Sequence, residues 1–205
     1  PDPAAARAAK RAELGVRDDE TLLLLAAHDF QVKGADRLLR SFADLPDALR
    51  AKTKLFLTGF LWRTECEALA RDLGVADRVR FDGGRTDLPQ ILCAADLMVH
   101  PARREAAGSI LVEAIASGLP TLCSGVCGFR NFVEDASGVV LPEPFRQDAL
   151  TNALRSLLEN PAELAQRRAE TLRLARKTDF TRRADVAADF ILNDDRPPRL
   201  AGETP

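Results

Sequence analysis

Leu97-Met98-Val99-His100-Pro101-Ala102-Arg103-Arg104-Glu105-Ala106-Ala107-Gly108-Ser109-Ile110-Leu111-Val112-Glu113-Ala114-Ile115-Ala116-Ser117-Gly118-Leu119-Pro120-Thr121-Leu122-Cys123-Ser124 reads as one strand–loop–helix–turn–strand unit. The first four residues form a short apolar run stopped by Pro101, which suits a strand buried on both faces. From Ser109 the apolar residues lose their two-residue period and follow a helical one. Gly118 ends that helix, Pro120 prevents its continuation, and a second apolar run follows. Two strands joined by a helix pair in parallel, with the helix packed across the sheet.

Working outward, the same punctuation recurs. Strands are expected at 21–27, 55–58, 79–81, 97–100, 121–124 and 139–141. Helices are expected at 35–42, 63–73 (closed by Gly74), from Leu88-Pro89 to about Ala95 with Asp87 as cap, and at 109–117, 147–159, 162–176 and 181–191. Alternation of this kind predicts an α/β fold, a Rossmann-like parallel sheet flanked by helices. Ligands of such sheets bind beyond the carboxyl ends of the strands, where strand order reverses. The loops that follow strands, above all 100–108, are therefore the candidate site.

The loop from Pro101 to Gly108 narrows that expectation. Ala106, Ala107 and Gly108 let a ligand approach the backbone closely. The start of the next helix offers unpaired N–H groups and the positive end of a dipole, a combination that holds a diphosphate without a metal. Ser109 is placed either to cap that helix or to donate its hydroxyl to a phosphate. Glu113, one turn further on and among Leu111, Val112, Ala114 and Ile115, wants donors, and two ribose hydroxyls would serve. Glu105 sits eight residues upstream, where a loop can bring it to the other end of a nucleotide sugar. Either carboxylate alone has a plainer reading: Glu105 as a solvated neighbour of Arg103 and Arg104, Glu113 as a helix residue paired with a cation. Together, around a small-residue turn after a strand, they favour a site.

Composition bounds the alternatives. The 205 residues, 46% apolar and 29% charged, describe a globular chain long enough to bury its own core. The 29 basic and 31 acidic residues are interspersed, so no basic groove for nucleic acid is expected. No apolar run is long enough for a membrane span, and residues 1–10 lack the apolar stretch of a signal peptide. Cys66, Cys93, Cys123 and Cys127 have no C-x-x-C spacing, and His28 and His100 lie far apart, so no metal site is expected. No G-x-G-x-x-G follows the first strand, which disfavours dinucleotide binding.

Glu105-x7-Glu113, preceded by His100-Pro101 and followed by Gly118-Leu119-Pro120, resembles the signature of retaining GT-B glycosyltransferases of family 4. His100-Pro101-Ala102, Glu105-Ala106-Ala107-Gly108 and Val126-Cys127-Gly128-Phe129 are similar to the branch that adds glucose to the lipopolysaccharide core heptose. The likeness spans about Leu22 to Ile191 and implies the C-terminal half of a GT-B fold, with residues 1–20 an interdomain linker or helix and 21–193 the donor-binding domain, while the Pro-rich, polar stretch 194–205 is expected to be a flexible tail. It implies that Glu113 holds the ribose, Glu105 faces the donor sugar, and the backbone of Ala106, Ala107, Gly108, Ser109 and Ile110 cradles the diphosphate. Lys33 would neutralise the leaving group, while Gly84 and Arg85 would line a uracil pocket.

Two departures stand out. Val32 replaces the branch's usual Arg before Lys33-Gly34, and Trp62 occupies the position of a usual Lys, leaving Arg63 as the candidate second phosphate cation. The implied donor is a UDP-sugar, UDP-glucose above others, with no metal or other cofactor. The acceptor would be the lipopolysaccharide core, reached through an N-terminal domain outside this chain, in the cytoplasm or at the inner face of its membrane. The only Met is Met98, which fits a domain of a longer protein, inactive alone. The alternatives are another family 4 hexosyltransferase, a sugar-nucleotide epimerase of the same fold, or a noncatalytic α/β interaction module.

Overall fold

The computed structural model describes residues 3–178. Six strands form one wholly parallel sheet: β1 (Thr21–Ala26), β2 (Thr53–Thr58), β3 (Val79–Asp82), β4 (Leu97–His100), β5 (Thr121–Ser124) and β6 (Val139–Leu141). Their order is β3-β2-β1-β4-β5-β6. The chain winds outward from β1 in one direction, then returns to β4 and winds outward in the other. The reversal between β1 and β4 opens a crevice at the carboxyl ends of these two strands.

Nine α-helices among the described residues complete the layers: α1 (Pro3–Glu13), α2 (Ala35–Ala43), α3 (Asp47–Ala51), α4 (Arg63–Asp72), α5 (Leu88–Ala94), α6 (Ser109–Ala116), α7 (Arg130–Asp135), α8 (Gln147–Glu159) and α9 (Pro161–Lys177). The sheet's pleat divides the core between its faces. Leu23 and Leu25 of β1 join Leu55, Leu57, Leu97 and Val99 in a cluster that packs against α2, α4 and α8. Leu22, Leu24 and Ala26 turn the other way with Phe56 and Met98, toward α5 and α6. Burying each such side chain stabilises the fold by roughly 1.5–3 kcal/mol, which explains why β1 can be almost wholly apolar.

The expected strands β4, β5 and β6 carry the observed boundaries. β2 begins two residues earlier than expected and β3 extends to Asp82, because each continues a ladder with its neighbour. Gly74, at φ 70°, and Gly118, at φ 68°, follow α4 and α6 in the left-handed conformation that ends helices. The expected Asp87 cap is corrected: its side chain makes no capping bond and accepts instead from Arg85 and from Lys10 of α1. The expected helix 181–191 and tail 194–205 lie outside the described residues.

α1 is bound to the sheet by Asp96, immediately before β4. Its carboxylate accepts from Arg7, from Arg11 and from the backbone N–H of Leu22. Arg11 also donates to the carbonyls of Ala94, Arg17 and Glu20.

Candidate active site

Three loops close the crevice. The β1–α2 loop carries His28 and Lys33, the β2–α4 loop carries Phe60, and the β4–α6 loop carries Glu105 to Gly108. Together with the β3–α5 loop and the first turns of α5 and α6 they line a cleft of about 500 Å³. Lys33, Gly84, Arg85, Glu105, Ala107, Gly108, Ser109, Ile110 and Glu113 all line it, as do Thr58, Phe60 and Leu88.

The wall at α6 is backbone. Gly108 precedes the helix at φ 92°, a conformation an L side chain rarely adopts, and no side chain caps the helix start. Ser109 is the first helical residue, so the expectation that it caps α6 is corrected: Gly108 takes that position. The leading N–H groups of α6 thus face the cleft at the positive end of the helix dipole.

The preceding turn is braced from behind. Gly128 donates its N–H to Glu105 O (3.2 Å) and Phe129 donates to Ala107 O (2.9 Å). Ser124 Oγ donates to Ala102 O at 2.8 Å. A Cβ at position 128 would lie 2.0 Å from the Ala106 carbonyl oxygen, so only glycine lets the two loops meet. The Cys127-Gly128-Phe129 stretch is therefore a support for the turn. Ala106 belongs to this braced backbone and is not part of the cleft wall.

Glu105 is held by two side chains. Its Oε2 lies 2.7 Å from Lys33 Nζ and 3.1 Å from His100 Nε2. The His100 hydrogen bond, and after it the Lys33 ammonium, pull the carboxyl down to about 2 against the opposing effect of burial. A carboxyl held below its ordinary value of 4.5 adds stability that is complete above that value and is lost as pH falls toward 2. Urea midpoints of the parent and of Glu105→Gln should therefore differ by a constant amount above pH 4.5 and converge as pH falls to 2. A gap that does not narrow would contradict the ion pair.

Glu113 differs from its expected setting. It is an exposed residue on the cleft side of α6, not a carboxylate buried among apolar neighbours. Among the described residues no hydrogen bond or ion pair engages its carboxylate, which leaves both oxygens available to a ligand. Gly84 is exposed beneath the Phe60 ring, where a Cβ would come within 2.1 Å of that ring. Arg85 lines the cleft while paired with Asp87, Glu13 and Asp82. Arg63 stands on the first turn of α4, 2.6 Å from Glu67, and does not line the cleft.

Sequence reasoning left out His100 as a site residue, together with Phe60 and His28. The rings of His28 and Phe60 are 5.7 Å apart at the cleft mouth. Nothing in the periodicity separates these residues from ordinary loop and strand positions.

A second hollow, of about 540 Å³, lies between α1, α8 and α9 near the amino ends of the strands. Its size does not make it the site. Arg7 and Arg168 there donate to the Cys93 and Ala95 carbonyls at the end of α5, and Arg7 and Arg11 to Asp96, so its cations already serve the protein. Among the described residues, no group of three or more His, Cys, Asp and Glu side chains is placed to hold a metal ion, and no helix is long and apolar enough to cross a membrane.

Comparison with known proteins bears on the family and the fold. The family described as glycosyl transferases group 1 matches residues 6–174. The lipopolysaccharide glucosyltransferase WaaG of Escherichia coli K12 is 42% identical over 184 residues, covering 88% of this chain and 49% of that protein. A D-inositol 3-phosphate glycosyltransferase of Catenulispora acidiphila is 31% identical over 176 residues, 80% of this chain and 42% of its own. The crystal structure of WaaG, a glycosyltransferase involved in lipopolysaccharide biosynthesis, superposes with a TM-score of 0.86 at 38% identity, over 92% of this chain and 51% of that one. The structure of Anabaena Alr3699/HepE in complex with UDP and glucose shares the fold at a TM-score of 0.78 and 23% identity, over 91% of this chain and 52% of its own. The chain thus spans about half the length of the relatives it matches. A parallel sheet with this strand order, a cleft at its reversal point and a family match along nearly all the described residues lead to one conclusion: the chain belongs to the group 1 glycosyltransferases.

Proposed function

We propose that this chain is the donor-binding half of a retaining glycosyltransferase of lipopolysaccharide core assembly, and that the cleft takes a UDP-sugar, UDP-glucose in the first instance. The observation that carries the reading is the uncapped start of α6, set between the free carboxylate of Glu113 and the held carboxylate of Glu105. The E. coli relative's name, a lipopolysaccharide glucosyltransferase, and the Anabaena structure with UDP and glucose support this class of donor.

In this reading the diphosphate lies against the N–H groups of Ala107 to Ile110. Glu113 accepts from the ribose hydroxyls, and Gly84 and Arg85 border the base. The sugar extends toward Glu105. Transfer on the retained face requires that negative charge growing on the leaving diphosphate be stabilised. The helix dipole, fixed N–H donors and the Lys33 ammonium supply that stabilisation without a metal. Arg63 adds to it only by leaving Glu67. The acceptor, a core heptose, is held by a second domain, and the chain alone binds donor without transferring it. The full protein works in the cytoplasm, at the inner face of the membrane where such acceptors are assembled.

Calorimetric titration of UDP and UDP-glucose tests the assignment. Glu113→Ala should weaken both ligands roughly tenfold or more, since a charge-assisted hydrogen bond contributes about 1.5–3 kcal/mol. Glu105→Ala should leave UDP nearly unchanged and weaken UDP-glucose. If both variants weaken both ligands alike, the separate roles are wrong. If neither variant affects either ligand, the site is elsewhere.

A further inference from the structure

His100 is the last residue of β4 and is fully buried, yet it is not core packing alone. Its Nε2 lies 3.1 Å from Glu105 Oε2, and its Nδ1 is buried with no hydrogen-bond partner. An N–H at Nδ1 would be buried without an acceptor, which costs more than leaving a lone pair unused. The ring therefore carries its shared proton at Nε2 and donates it to the carboxylate. The ring itself is fixed by the strand and by the buried surroundings of β4, so it cannot follow Glu105 if Glu105 moves.

Lys33 contacts the same carboxylate oxygen, at 2.7 Å, from a flexible four-carbon stem at the edge of the cleft. An entering diphosphate competes with Glu105 for the Lys33 ammonium. Once Lys33 turns to the phosphates, His100 is the partner that remains on Glu105.

We propose that His100 is the positioning residue for Glu105: it keeps the carboxylate aimed at the donor sugar after Lys33 has exchanged it for the diphosphate. This rests on the reading that Glu105 faces the sugar of the donor. In the empty cleft Lys33 and His100 share the carboxylate. In the loaded cleft the rigid contact stays and the mobile one leaves. The selectivity for a sugar-bearing nucleotide over the bare nucleotide is thus set by a buried ring that never touches the ligand.

The test measures the ratio of UDP-glucose to UDP affinity in the full 205-residue chain. The variants are His100→Gln, His100→Asn, His100→Phe and Glu105→Ala. Glutamine reaches the Nε2 position with an amide N–H and should keep the parent ratio. Phenylalanine removes the donor and asparagine withdraws it from reach, so both should lower the ratio about tenfold, equivalent to about 1.4 kcal/mol, while UDP affinity stays within about twofold. If His100→Phe does not fold, the contrast between asparagine and glutamine decides. A ratio unchanged in His100→Asn and lowered in Glu105→Ala would overturn the positioning role and leave the sugar-facing role of Glu105 intact. An equal fall in His100→Gln and His100→Asn would make His100 a packing residue. A ratio unchanged in Glu105→Ala would remove the reading on which the proposal rests.

Discussion

Gly34→Ala is expected to destabilise the protein by roughly 2–5 kcal/mol, the sum of about 1–2 for a left-handed alanine and about 1–3 for forced overpacking. Gly34 has φ 74°, and a Cβ there would lie 2.1 Å from the Pro101 carbonyl oxygen and 2.9 Å from its carbon. Both atoms are backbone, so no side chain can swing aside. The contact joins the two loops that carry the site. Arg103 N–H donates to Val32 O, and Arg37 donates to the Pro101 and Ala102 carbonyls. Separating Gly34 from Pro101 therefore pulls Lys33 away from Glu105 as well as loosening the fold. Thermal unfolding should show a midpoint lowered by roughly 5–20 °C for a domain of this size. Gly74→Ala is the control, because Gly74 has φ 70° but nothing within 4 Å of its added Cβ. It carries only the conformational cost, about 1–2 kcal/mol. Equal losses in the two variants would refute the backbone contact as the cause.

Lys33→Ala is expected to weaken UDP roughly 10- to 100-fold and to leave uridine within about twofold, because the loss falls on the phosphates alone. Two effects act in the same direction. The variant removes the ammonium that the diphosphate would engage, and it leaves the Glu105 carboxylate, now paired only with His100, facing an anion. One effect opposes them: the parent must break the Lys33–Glu105 contact to bind, and the variant need not. The direct loss dominates, since the parent ammonium exchanges one anionic partner for another. Titration of both ligands at several salt concentrations checks this, and the parent should show the steeper salt dependence. A similar loss for uridine would indicate collapse of the cleft, and an unchanged UDP affinity would remove Lys33 from the phosphate site.

The legibility of this chain in its sequence was uneven for physical reasons. The strand Leu97–His100, the start of α6 at Ser109 and the strand Thr121–Ser124 were all readable, because apolar period, small residues and Gly118 and Pro120 act within a few positions of one another. α3 and α7 were not, being five and six residues long, too short for a helical period to register. α7 owes its place to its own Val133, buried against Leu111, Ile115 and Cys123, a tertiary effect. The Asp87 cap failed because two cations hold the carboxylate, Arg85 two residues away and Lys10 of α1, 77 residues away. In the site, the spacing of Glu105 and Glu113 and the glycine between them were visible. The distinction between a held carboxylate and a free one was not, since it depends on Lys33 from another loop and on a strand-end histidine. Arg63 illustrates the limit for cations, because a Glu four residues along its own helix engages it away from the cleft.

Amide chemical-shift mapping with UDP addresses the phosphate cradle at α6 most directly. On addition of millimolar UDP to the labelled chain, the N–H signals of Ala107, Gly108, Ser109 and Ile110 should shift together and saturate, with Glu113 moving alongside them. Signals that stay still across that turn, or that move instead around Arg7, Arg11 and Arg168, would contradict a phosphate cradle at the start of α6.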